Sequence, residues 1–148
     1  MTELIQEFLE TFMSRSGADA AGQESDTESE FSLSVRAQGS VVYILLRGEL
    51  EFHHIESFNS AVDPVLAEPT SKHVVVHMGE VSFVDSTGLA CLVTASQIVK
   101  ERAGNVHLVA CKPFIMKTLE ITRLRRVFLL HDTFLDAYTA ANETTDAA

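Results

Sequence analysis

Asp85-Ser86-Thr87-Gly88 sets a carboxylate, two hydroxyls and a glycine side by side, directly after the apolar positions Val81, Phe83 and Val84. Several chemistries use such a cluster, and each demands more than this chain supplies. Aspartic proteases read Asp-Ser/Thr-Gly, one residue shorter, within an all-β pattern that is missing here. A serine-hydrolase elbow needs glycine two residues to either side of its nucleophile, and Ser86 has Val84 on one side. A phosphate-cradling loop needs several glycines and a lysine, and an aspartyl-phosphate receiver needs an acidic pair after its first strand. Neither occurs. The histidines at 53, 54, 73, 77, 107 and 131 show no metal-ligand spacing, and adjacent His53 and His54 face different ways. No catalytic set assembles, so neither a metal nor a cofactor is expected.

What remains is a helix start. Asp85 or Ser86 can cap a helix that begins there, and Gly88 lets another backbone come close. A hydroxyl at that point sits among unpaired backbone N–H groups at the positive end of the helix dipole. A phosphate added to Ser86 would find donors for its oxygens. The same residues also suit a plain helix cap, and the local chemistry alone leaves both readings open.

The elements that position this segment follow from periodicity. Phe31, Leu33 and Val35 alternate with polar residues, Gln38-Gly39 supplies a turn, and Val41 to Leu46 is a dense apolar run, so a β-hairpin is predicted. Ile55, Phe58, Val62, Val65 and Leu66 mark a helix face that Pro64 should kink or restart. Val74-Val75-Val76 suits a central strand buried on both sides. Leu89, Leu92, Val93, Ser96 and Val99 form the next helix face, ending near Gly104. A strand at Val106–Val109, a helix opened by Pro113, a strand at Val127–Leu130 and a helix capped by Asp132 or Thr133 complete the series. Strands alternating with helices imply an α/β fold with a mixed sheet: the first hairpin antiparallel, the rest mainly parallel.

Charge divides the 148 residues unevenly: residues 1–30 carry −7, residues 141–148 carry −2, and the body between is nearly neutral within a total of −10. This acidic balance argues against nucleic acid as a partner, and no apolar run is long enough to span a membrane. The first residues contain Glu3, Glu7 and Glu10 without a basic leader, so no secretory signal is expected. Cys91 and Cys111 sit in apolar surroundings and read as buried free thiols of a reducing cytoplasm. Leu4, Ile5, Phe8, Leu9, Phe12 and Met13 repeat at helical spacing, predicting an amphipathic helix over 2–13. Its stripe must be buried against its own domain or against a second copy, which would make a homodimer; a docking role toward another protein is the sharper alternative. Residues 14–30 read as a flexible acidic linker, 31–140 as the domain, and 141–148 as a disordered tail.

The hairpin, the Val74 strand, the segment Val81-Ser82-Phe83-Val84-Asp85-Ser86-Thr87-Gly88-Leu89 and the turn Val109-Ala110-Cys111-Lys112-Pro113 together resemble the STAS family, most closely the bacterial anti-sigma-factor antagonists. The resemblance covers Phe31 to Ala140. It implies that Ser86, the first hydroxyl residue after the aspartate, accepts phosphate from an anti-sigma factor with serine kinase activity. It further implies release on phosphorylation and resetting by a metal-dependent serine phosphatase. The partner surface would gather Asp85, Thr87, Gly88 and Leu89, with Glu49 and Glu51 from the Gly48–His53 loop beside them. Two positions depart from the family pattern. Gly48-Glu49-Leu50-Glu51 ends in glutamate where aspartate is common, and Val76-His77-Met78 lacks the aspartate often found in the third strand. A cytoplasmic protein that acts by binding, and not as an enzyme, is the resulting expectation. The alternatives are a STAS scaffold or sensor subunit that never cycles phosphate, and a small hydrolase using Asp85 or Ser86.

Overall fold

The computed structural model describes residues 5–11 and 31–147; the expected linker and the outer residues of the first helix lie outside the described residues. Helix α1 covers residues 5–11. Strands β1 (Ser32–Gln38) and β2 (Val41–Leu50) form the expected antiparallel hairpin. Its two-residue turn places Gly39 at φ 64°, a conformation glycine adopts without penalty. A short 3-10 turn, Phe52–His54, leads into α2 (Ile55–Leu66). Then come β3 (His73–Val84), α3 (Ser86–Lys100), β4 (Val106–Val109), α4 (Pro113–Ile121), a second 3-10 turn (Arg125–Val127), β5 (Leu129–His131) and α5 (Phe134–Ala147). The strands lie in the order β1-β2-β3-β4-β5, and every pair after the first is parallel.

The sheet is covered on both sides, which explains why β2 reads as an unbroken apolar run. Val42, Ile44, Leu46, Val74, Val76 and Leu108 meet one apolar layer that includes Phe58 and Val62 of α2, Leu92 of α3 and Leu119 of α4. Val41, Tyr43, Leu45, Val75 and Val109 meet Ile5 of α1 and Phe134, Ala137 and Ala141 of α5. Burying each valine, leucine, isoleucine or phenylalanine among these contributes about 1.5–3 kcal/mol before entropy is subtracted.

Five local expectations change. The last strand is Leu129–His131 and not Val127–Leu130, since Val127 closes the 3-10 turn before it. Strand β3 runs on to Val84, well past the valine triplet. Helix α2 passes through Pro64, which lies in its last turn, and ends two residues later at Leu66. The left-handed residue after α3 is Ala103, with Gly104 one step further on. The tail expected from residue 141 instead continues α5: Ala141 is fully buried, and Asn142 donates a hydrogen bond to the Tyr43 hydroxyl at 3.0 Å. That helix is capped by Thr133, whose Oγ1 accepts from the Asp136 N–H at 3.1 Å. Ile5 is likewise fully buried and Phe8 and Leu9 pack beside it, so this part of the α1 stripe is covered by its own domain, while Leu4, Phe12 and Met13 lie outside the described residues.

Candidate functional site

Strand β3 ends at Val84 and α3 begins at Ser86, leaving Asp85 between them in an extended conformation with φ −96° and ψ −173°. Its side chain then folds back as the N-cap. Oδ1 accepts from the Gly88 N–H at 2.9 Å and from the Thr87 hydroxyl at 2.6 Å, while Oδ2 accepts from the Phe52 N–H at 3.0 Å. The last bond ties the helix start to the loop after β2, and the Asp85 N–H donates to the Leu50 carbonyl at 3.2 Å to close the same junction. Partial desolvation pushes the carboxyl up, but the hydrogen bonds from Thr87, Gly88 and Phe52 outweigh it and hold Asp85 below the usual carboxylate range.

Gly88 permits this junction sterically. A Cβ there would stand 2.3 Å from the Leu50 carbonyl oxygen and 3.0 Å from Val84 Cγ1. The backbone that comes close is therefore the chain's own β2. Gly88 and Leu89 are both buried, so they shape the site from beneath and do not form its surface.

The two hydroxyls are in different states. Thr87 is half-buried and its hydroxyl is committed to Asp85. Ser86 is exposed, and its hydroxyl makes no hydrogen bond among the described residues. One expectation needs correction: the Gly88 amide, a donor that could have met an added phosphate, is already taken by Asp85. A phosphate on Ser86 would have that carboxylate as its neighbour.

The loop before α2 stands beside this helix start. Glu51 does not reach toward it as a free acid; its carboxylate binds His53 Nδ1 at 3.0 Å and His54 Nδ1 at 3.1 Å. The hydrogen bond from His53, helped by both imidazoles, holds Glu51 below its ordinary range. His54 also donates to the Glu49 carbonyl at 2.8 Å and stacks on Phe31 with ring centroids 4.4 Å apart. The loop is thus rigidified from within. Glu49 itself is half-buried and pairs across the sheet with Phe83. His77, where the family often has aspartate, is buried with the Phe134 ring 6.4 Å away, on the sheet side opposite Val76. Burial pushes its imidazole below the ordinary value.

Between α2 and α3 runs a depression of about 300 Å³ to which Asn59, Asp63, Thr87 and Cys91 contribute. Both cysteines are free and half-buried. Burial pushes both thiols up, Cys111 to about 11, so neither is a thiolate near neutrality. Phe52, an exposed ring whose backbone grips Asp85, is the contributor that sequence reasoning did not name. Only its place in the Gly48–His53 loop pointed to it.

Comparison with known proteins gives this architecture its family. The STAS domain model matches residues 32–137, and the chain belongs to that family. A curated relative, the anti-sigma F factor antagonist of Paenibacillus polymyxa, is 21% identical over 99 residues, covering 67% of this chain and 85% of that protein. The crystal structure of an anti-sigma factor antagonist from Mycobacterium paratuberculosis superposes with a TM-score of 0.69 at 23% identity, covering 80% of this chain and 99% of that one. The phosphorylated form of SpoIIAA, a Bacillus cell fate determinant, gives a TM-score of 0.60 at 21% identity, covering 75% of this chain and 98% of that one.

Proposed function

We propose that this chain is an anti-sigma factor antagonist, which binds an anti-sigma factor with serine kinase activity and is switched off when that kinase phosphorylates Ser86. The observation that carries the reading is the contrast between adjacent hydroxyls: Ser86 is open to a macromolecule, whereas Thr87 is held by Asp85 at 2.6 Å. A phosphorylated structural relative of the same fold supports it. Phosphorylation adds about −1.5 to −2 charge and three acceptor oxygens. Beside the Asp85 carboxylate and facing a partner, that charge must be desolvated, which weakens binding by roughly 100-fold or more. The switch acts at the interface, since the helix start is exposed and the core beneath need not move. On this reading the protein works in the cytoplasm, is a kinase substrate and not an enzyme, and is reset by a metal-dependent serine phosphatase.

The test is intact mass after incubation with ATP and a cognate anti-sigma kinase. A single phosphate gain that vanishes in Ser86→Ala supports the reading. A non-cycling scaffold is the second reading, favoured by the engagement of Glu51 with His53 and His54 and by His77 in the third strand. It predicts tight, ATP-insensitive partner binding with no mass change. Hydrolytic turnover lost in Ser86→Ala would overturn both.

A further inference from the structure

Away from Ser86, one surface differs in character from the rest of this acidic chain. Helix α4 turns Ile115 and Leu119 into the core, which leaves Phe114, Lys117 and Ile121 together on its outer face. Phe114 is 57% exposed and Ile121 71% exposed, both large values for such side chains. Phe83, at the end of β3, stacks on Phe114 with ring centroids 6.2 Å apart, so the apolar ridge extends beyond the helix.

The ridge is flanked by cations. Lys112, Lys117, Arg123, Arg125 and Arg126 supply five of the chain's eleven basic residues within fifteen positions, against the single acid Glu120. Arg125 binds Glu120 at 2.9 Å, whereas Arg123 and Arg126 make no ion pair among the described residues. The three arginines line an open depression of about 540 Å³. Arg123 is also held in the left-handed region at φ 63°. There it ends α4 with its N–H on the Glu120 carbonyl and the Leu124 N–H on the Leu119 carbonyl. Glycine is the residue that fits this position without strain. An arginine there keeps a cation at the turn against the preference of the backbone.

We propose that the outer face of α4 and the arginine turn after it form a docking surface for a short acidic segment of a partner protein that also carries apolar side chains. Charge complementarity selects this occupant. Nucleic acid or an anionic bilayer presents negative charge over a wide area and would also meet the acidic remainder of a chain of net charge −10. A short segment meets only the basic patch, and its apolar side chains find Phe114 and Ile121. The surface is independent of the Ser86 reading, and either can fail alone.

The experiment is a titration of the full chain at low salt with a fluorescein-labelled synthetic peptide. The peptide is rich in glutamate and carries two leucines seven residues apart, the spacing of Phe114 and Ile121. Saturable binding is expected, weakened about tenfold by the double change Arg123→Ala/Arg126→Ala and by Ile121→Ser, and lost in high salt. Lys72→Ala, which removes a cation elsewhere, should leave it unchanged. Arg123→Gly separates structure from binding: relief of the left-handed backbone should raise the melting temperature while affinity for the peptide falls. Absence of saturable binding overturns the proposal, as does equal weakening by Lys72→Ala. Arginine-dependent binding of phosphatidylserine vesicles or single-stranded DNA in preference to the peptide would also overturn it, by assigning the surface to another class of partner.

Discussion

On the side of the sheet covered by α2, α3 and α4, the strands meet an almost purely apolar layer, and the Asp85 junction crowns it with every carboxylate contact satisfied. The side covered by α1 and α5 is built differently. Strand alternation places His73, His77, His107 and His131 there, among Tyr43, Val75 and Val109. His107 Nδ1 lies 2.9 Å from His131 Nε2, but His107 Nε2 and His77 Nδ1 are buried without a partner among the described residues. Tyr43 is better served, by Asn142, although burial still pushes its hydroxyl up to about 12. The face bearing the candidate site is finished with hydrocarbon and held by backbone geometry. The other carries buried polar groups whose cost depends on pH.

The largest test of this contrast uses two glycines. Gly88→Ala drives a methyl to within 2.3 Å of the Leu50 carbonyl, which is backbone and cannot swing aside. A loss of about 3 kcal/mol or more is expected, read as a lowered denaturation midpoint. Gly79→Ala meets the His77 ring at 2.9 Å, a buried side chain but not backbone, and should cost less than Gly88→Ala, about 1–2 kcal/mol. Equal losses would mean that the two faces are equally rigid. Next comes the cover of the second face. Ile5 is fully buried, so Ile5→Ala should cost about 2 kcal/mol in a chemical melt even though it lies far from the domain in sequence.

That second prediction marks where the sequence was legible and where it was not. The hairpin, the order of strands and helices, the Pro113 helix start and the apolar stripe around Ile5 all follow from local period and turn chemistry. So does the Asp85 cap. The length of β3 was hidden because β4 pairs only with Val74 to His77; beyond that, β3 is bonded on one side and its burial becomes irregular around Gly79 and Glu80. The end of α5 was hidden because Ala141 and Asn142 look like an undistinguished polar terminus until Tyr43 is brought to them from 99 residues away. Phe52 escaped for the same reason. Its role is a backbone N–H given to a carboxylate 33 residues distant, and no side-chain pattern encodes that.

A smaller effect separates the faces by pH. Burial, with His131 and His73 nearby, pushes His107 from 6.5 down to about 4. The unfolded chain then binds the proton more readily than the folded one, so stability is full above about pH 6.5 and falls as pH drops toward 4. A loss of about 2 kcal/mol between pH 7 and pH 5 is expected, and His107→Phe should flatten that limb. If the limb survives in His107→Phe, the acid sensitivity lies elsewhere.

The smallest effect belongs to the other face and falls in another window. Asp85 is a carboxylate held below its ordinary 3.8, so its contribution is present above that value and disappears only as pH falls further. Asp85→Asn keeps an acceptor for the Gly88 N–H but turns its amide nitrogen, a donor, toward the Phe52 N–H, and Asp85→Ala leaves both amides without their acceptor, so each change should cost about 1 kcal/mol. Neither change should alter the limb between pH 7 and pH 5, because no part of the Asp85 junction titrates there. Hydrogen exchange at the Phe52 and Gly88 amides gives the local check: both should quicken in Asp85→Ala, with the amides of α5 unchanged. Quickening that spread to α5 would mean that the two faces open together, and the distinction between them would fail at its weakest interaction.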